Sequence, residues 1–193
     1  MINDFSKIEC HKIVFAGAMG AGKTTAIRSI SDVEPVSTEV ENFEGGGGGK
    51  LLTTVALDFG KVKLDEHTQL SLYGTPGQER FKFMWPIVSR DALGLVFLIN
   101  NNGEEPLKLL DSYLKHFRVG IDKSAAVVGI TCSDLTNKHT VEDYQNIIHG
   151  HELKMPVFTI DARRRDDVLL LVNALLSINE AKRIQQPPEE DED

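Results

Sequence analysis

Long apolar runs are missing from this 193-residue chain: none approaches the ~18 residues a membrane-crossing helix needs, and nothing reads as a signal peptide. Cysteine is scarce. Cys10 and Cys132 are too few for a disulfide framework and suit a reducing compartment. Ile2 excludes the N-myristoylation pattern, and there is no C-terminal cysteine to prenylate. The expectation is a cytoplasmic chain with no direct membrane anchor. Positive charge is also short, with 21 Lys and Arg against 29 Asp and Glu for a net charge of -8. The run Glu189-Glu190-Asp191-Glu192-Asp193 supplies five of those eight net negatives, which leaves the rest near -3. No broad basic face is on offer, so nucleic acid is excluded as an expected partner.

What is present is enough for one folded domain with a substantial core, at 41% hydrophobic residues. The expected boundaries are 1–184 for the domain and 185–193 for a solvated, disordered acidic tail. Near the start, Gly17-Ala18-Met19-Gly20-Ala21-Gly22-Lys23-Thr24 fits G-x-x-x-x-G-K-T. It follows an apolar strand-like run, residues 12–16, and precedes a helical one. In that setting successive N–H groups of Ala18, Gly20, Ala21, Gly22, Lys23, Thr24 and Thr25 can cradle phosphates. Lys23 reaches the β/γ oxygens, and the Thr24 hydroxyl is placed for Mg²⁺ at a helix N-terminus. The chain is therefore expected to bind a nucleoside triphosphate.

Strand-like runs at residues 54–64, 69–73, 93–100, 125–132 and 156–160 alternate with helical patterns at 105–117, 141–148 and 166–184. A short helix is expected around residues 86–90. The polar link Asp65-Glu66-His67-Thr68 implies a hairpin. The expected fold is α/β: a P-loop domain with a mostly parallel six-stranded sheet, one antiparallel strand and helices on both faces. Ligand should then sit off the carboxyl ends of the strands, beside Gly17–Thr24.

Two further blocks carry a resemblance. Thr53-Thr54-Val55-Ala56-Leu57-Asp58-Phe59-Gly60 and Gly74-Thr75-Pro76-Gly77-Gln78-Glu79-Arg80-Phe81, with Ser89-Arg90-Asp91-Ala92-Leu93-Gly94 in register, resemble the Ras superfamily and its Rab-like branch. The block around Thr-Pro-Gly-Gln, followed by Phe83-Met84-Trp85, is more similar to bacterial small GTPases. That group includes the gliding-motility MglA proteins and the conservon-type GTPases. The likeness runs over residues 10–183.

The resemblance implies a slow GTPase that switches between GTP and GDP. Thr54 would join Thr24 on Mg²⁺ and sense the γ-phosphate, and the Gly77 N–H would meet that phosphate. Lys23 and Gln78 would be catalytic, Gln78 by orienting water, and Arg80 is the candidate finger in cis. Thr131-Cys132-Ser133-Asp134 stands where the family reads the base, and Asp161-Ala162-Arg163 resembles a second base-contacting loop. A carboxylate at Asp134 accepts from guanine N1–H and the 2-amino group, whereas adenine offers an acceptor there. Thr131, Ala162 and Arg163 complete that set, Arg163 as the group that would stack on the base. A homodimeric roadblock (dynein light chain family) protein is the implied regulator, with a role in polarity, motility or pilus function.

The chain also departs from the pattern. Gly74 replaces the aspartate that holds Mg²⁺ through water, with Asp58 the candidate substitute. Met19 crowds the γ-phosphate and the approach of an arginine from a partner, so a helper should act by rearranging the switches. Cys132 replaces the lysine that lies along the base. Two rivals follow: a nucleotide-binding pseudo-GTPase, and an ATP-using P-loop enzyme. His149-Gly150-His151 lacks a third ligand and is set aside as a zinc site. Arg163-Arg164-Arg165 is offset by Asp166-Asp167. Phe81, Phe83 and Trp85 are either half-buried core or a partner-reading face. Gly45-Gly46-Gly47-Gly48-Gly49 implies a mobile loop, native or introduced in place of a longer one.

Overall fold

The computed structural model describes residues 8–42, 53–136 and 138–185. The glycine run and the acidic tail lie outside them, as do the side chains of residues 37–42, 53–56, 79 and 185. Elements follow in the order β1 (Glu9–Ala16), α1 (Lys23–Ile30), β2 (Val36–Asn42), β3 (Thr53–Lys63) and β4 (Thr68–Gly74). A 3₁₀ turn over Glu79–Met84 then leads into α2 (Trp85–Ser89). Next come β5 (Gly94–Asn100), α3 (Pro106–His116), α4 (Arg118–Lys123), β6 (Ala125–Thr131), α5 (Val141–Gly150), β7 (Val157–Thr159) and α6 (Arg165–Gln185).

The strands form one sheet in the order β2-β3-β4-β1-β5-β6-β7. β3 runs antiparallel to both of its neighbours, and the remaining pairs are parallel. The expected class is therefore present, but the count is seven strands, not six. β2 is the addition. Its sequence, Val-Ser-Thr-Glu-Val-Glu-Asn, reads as polar loop. As an edge strand it needs backbone bonds on one side only, and Val36 through Asn42 pair with Phe59 through Thr53 of β3. The link between β3 and β4 is the expected hairpin, closed by Asp65 Oδ1 accepting from the N–H groups of His67 and Thr68 at 2.7 and 2.8 Å.

The central strands bury both faces, as parallel strands under helices must. In β1, Val14 and Ala16 face one cluster with Phe97, Tyr113, Phe117 and Tyr144, under α2, α3, α4 and α5. Ile13 and Phe15 face the other with Ile27, Leu70, Leu72, Leu171 and Leu175, under α1 and α6. The two readings of Phe81, Phe83 and Trp85 divide between these residues. Phe81 and Trp85 are core, while Phe83 is 55% exposed. Trp85 stacks on Phe117 with ring centroids 5.3 Å apart, and its Nε1 donates to Pro76 O at 3.3 Å. The segment after β4 is thereby tied to the helix layer.

Candidate functional site

β1, β4, β6 and β7 run parallel, so the loops leaving their carboxyl ends gather on one side of the sheet. The first is the Gly17–Thr24 loop. Two ends of neighbouring strands pin it: Asn100 Nδ2 donates to Gly20 O at 3.3 Å, and Thr131 Oγ1 donates to Ala21 O at 3.1 Å. Gly22 caps the start of α1 from just outside it with φ 95°, a left-handed conformation that strains a residue with a side chain. Lys23 is buried, and its Nζ donates to Gly17 O at 2.7 Å and Ala18 O at 2.9 Å. Burial lowers its pKa to about 8, against an opposing pull from Asp58.

Two clefts meet at Gly20, Gly22 and Thr25. One, of about 430 Å³, is lined by Lys23, Thr24, Asp58, Thr75, Gly77 and Gln78 among others, with Arg80 and Met19 at its sides. Here the Thr24 hydroxyl donates to Asp58 Oδ2 at 2.7 Å. Asp58 lies directly opposite Gly74 in the β3–β4 ladder, and a Cβ on Gly74 would sit 3.0 Å from that same Oδ2. The Asp58 carboxylate thus occupies, from the adjacent strand, the space that the absence of a side chain at Gly74 leaves beside Thr24.

Gly77 packs against the phosphate loop itself. A Cβ there would meet Met19 N at 2.5 Å, Ala18 C at 2.7 Å and Lys23 Nζ at 3.0 Å. Gly77→Ala is therefore expected to push the 75–80 segment off the loop while the two core clusters persist. A red shift in the emission of Trp85, the chain's single tryptophan, would report it; an unshifted spectrum would mean the loop absorbs the methyl.

Thr75 offers a test of fit for a bound group. It is 2% exposed, lines the same cleft, and its Oγ1 has no hydrogen-bond partner among the described residues. An orphaned hydroxyl costs about 1–3 kcal/mol. Thr75→Val should raise the melting temperature of the ligand-free protein by roughly 2–4 °C. It should also cut the additional stabilisation given by Mg²⁺-nucleotide. Thermal melts with and without ligand check both signs, and a fall in the ligand-free value would contradict the orphan reading. With Thr24, Asp58 and Lys23 beside it, the oxygen-rich donor set fits a Mg²⁺–phosphate unit.

The second cleft, of about 490 Å³, is lined by Thr131, Cys132, Asp134, Asp161, Ala162 and Arg163 among others. Cys132 has φ 57° and accepts at its carbonyl from Leu135 N–H at 3.2 Å, a tight turn that carries Asp134. Ala162 packs on Gly22, joining this loop to the phosphate loop. Arg163 is held by its own neighbour: Nε donates to Asp161 Oδ1 at 2.9 Å and Nη2 to Oδ2 at 2.7 Å. That contact holds the Asp161 carboxyl down at about 2.

The proposed residues Ala18, Gly20, Ala21, Gly22, Lys23, Thr24, Thr25, Gly77, Thr131, Asp134, Ala162 and Arg163 thus converge on one end of the sheet. Thr131 braces the loop with its hydroxyl. Gln78 is exposed at the start of the 3₁₀ turn, and the Arg80 guanidinium lies 4.9 Å over the Phe81 ring. Thr54 belongs to β3, with its side chain outside the described part. Sequence reading missed Asn100 and Thr75. The signal for Asn100 was a polar residue closing an otherwise apolar strand; Thr75 gave none. Among the described residues no group of three or more His, Cys, Asp or Glu can hold a metal ion, and His151 pairs with Asp111 at 2.8 Å.

A family model described as "conserved hypothetical ATP binding protein" matches residues 34–155. The chain belongs to this family. The match to the conserved hypothetical ATP binding proteins begins past the phosphate loop and takes in Asp58, Gly74 to Arg80, Thr131 and Asp134. The chain is also similar to Ras-related protein Rab-27A of Sus scrofa, 22% identical over 86% of this chain and 77% of that one. Similarity to Ras-related protein Rab-7b of Mus musculus is 26% identity over 86% and 80% respectively. An uncharacterized protein of Methanocaldococcus jannaschii is 29% identical over 58% of this chain and 70% of its own. No helix among the described residues is long and apolar enough to cross a membrane.

Proposed function

We propose that this protein is a guanine-nucleotide-dependent switch of the bacterial MglA or conservon type, acting in the cytoplasm and hydrolysing GTP slowly. The observation that carries it is the seating of Gly77 on the phosphate loop, beside Lys23 and the Thr24–Asp58 pair. A γ-phosphate must enter between those two segments, so its presence and its loss act on the 75–85 segment. In this reading Lys23 and the loop amides hold the phosphates, Gln78 positions water, and Arg80 can turn from Phe81 toward the cleft. Mg²⁺, when bound, neutralises charge on the phosphate oxygens; Thr24 and Thr54 would hold it, with Asp58 behind Thr24. Asp134 and the Ala162 amide read guanine, and Met19, 77% exposed at the cleft's side, keeps hydrolysis slow. A roadblock-type dimer as regulator, in polarity, motility or pilus signalling, rests on the resemblance alone.

Trp85 gives the experiment. Exchange of GDP for a non-hydrolysable GTP analogue should change its emission, and multiple-turnover phosphate release should follow slowly, faster with a roadblock partner. Emission that changes without turnover under either condition would favour a pseudo-GTPase. A second reading, an ATP-binding protein, is favoured by the description of the family to which the chain belongs.

A further inference from the structure

At the opposite end of the sheet, where β1, β5 and β6 begin, lies a cleft of about 570 Å³ unrelated to the nucleotide site. In a chain of net charge -8 it is lined by His11, Lys12, Arg90, His116 and Lys123, with Asp91 as its one carboxylate. Lys12 Nζ donates to Arg90 O at 3.0 Å, and neither Arg90 nor Lys123 has an ion pair among the described residues. The last helix ends on its rim. Asn179 Nδ2 donates to Leu93 O at 2.9 Å and Lys182 Nζ to Ser124 O at 2.7 Å, and both Leu93 and Ser124 are cleft walls. α6 finishes three residues later at Gln185, and the eight residues that follow could reach about 27 Å if extended.

We propose that this cleft docks the chain's own carboxylate run, residues 189–193. Charge decides among the candidate occupants. Residues 1–7 also lead to the cleft through β1 but carry one Asp and one Lys, whereas residues 189–193 carry five acids and no base. A cationic hollow beside the origin of an anionic segment raises the local concentration of that segment far above that of any free partner. The wall formed by Pro86, Ser89 and Arg90 belongs to or adjoins α2, so the docked segment touches the helix that carries Trp85.

Zero-length carbodiimide coupling tests this on the full chain, mixing ¹⁴N and ¹⁵N protein one to one and reading the linked peptides by mass spectrometry. The expected result is Lys12 or Lys123 joined to residues 189–193, in same-isotope pairs. These links should fall at least tenfold in 1 M NaCl and at least as far when the five acids are changed to Gln and Asn, which leaves only the terminal carboxylate to couple. Lys123→Glu with Arg90→Glu should suppress the link at Lys12, in protein whose melting curve stays cooperative. Links confined to Lys182 or to lysines outside the cleft, such as Lys61, would overturn the proposal. Mixed-isotope pairs would also overturn it, by assigning the acidic run to a second copy.

Discussion

Asp58→Asn is expected to weaken Mg²⁺-dependent nucleotide binding roughly ten- to hundredfold, the loss of one charge-assisted contact of about 1.5–3 kcal/mol. The reason is local. Asp58 is the carboxylate that accepts from Thr24, and nothing at Gly74 can replace it. The effect should disappear in EDTA, because only the metal-dependent part is lost. Gly74→Asp alone should fail to strengthen binding and should destabilise the fold, since its Cβ would lie 3.0 Å from Asp58 Cβ as well as Oδ2, bringing a second carboxylate into that space. Asp58→Gly combined with Gly74→Asp should recover part of the affinity by moving the carboxylate to the neighbouring strand. Calorimetric titration of all three variants, with and without Mg²⁺, checks the set; an unchanged Asp58→Asn would remove Asp58 from the metal side.

Lys23→Met should cost a hundredfold or more in affinity, about 3 kcal/mol, by deleting the buried ammonium while keeping its stem. Stability of the ligand-free protein should change little: the variant removes a costly buried charge but leaves Gly17 O and Ala18 O without their donor. The wild type carries a pH signature of the same residue. Its pKa falls from 10.5 to about 8 on folding, chiefly by burial. Between those values the unfolded chain holds a proton that the folded one has lost, so stability rises with pH across that window. Nucleotide binding works the other way. Polyphosphate favours the ammonium, so affinity should fall above pH 8, by up to tenfold per unit. Lys23→Met should show no such slope.

The elements most legible in the sequence were those with a physical reason to be regular. β5 is Gly-Leu-Val-Phe-Leu-Ile-Asn, buried along all but its last residue, and parallel strands under two helix layers read as unbroken apolar runs. The phosphate loop was legible because its backbone geometry needs glycine and lysine at fixed spacing. β2 was not, since Val36 and Val40 are its only apolar residues among seven and its place in the sheet comes from backbone pairing with β3. Neither was α4, a six-residue helix whose Arg118–Asp122 pair at 3.1 Å is only local. In the site, the Thr24–Asp58 contact depends on which residue of β3 faces position 74. That register is fixed by the hairpin at Asp65 and by the sheet as a whole. The orphaned Thr75 hydroxyl is likewise a property of packing, invisible in a Thr-Pro-Gly-Gln string.

The proposed function depends on the paired clefts holding a guanine nucleotide. The direct test strips bound nucleotide from the protein, identifies it by chromatography, and titrates fluorescent GTP, GDP and ATP onto the emptied site in Mg²⁺. The expected result is guanine nucleotide in the released fraction and a guanine preference that Asp134→Ala abolishes. Equal or tighter ATP binding, untouched by Asp134→Ala, would contradict it and make the chain an ATP-binding protein.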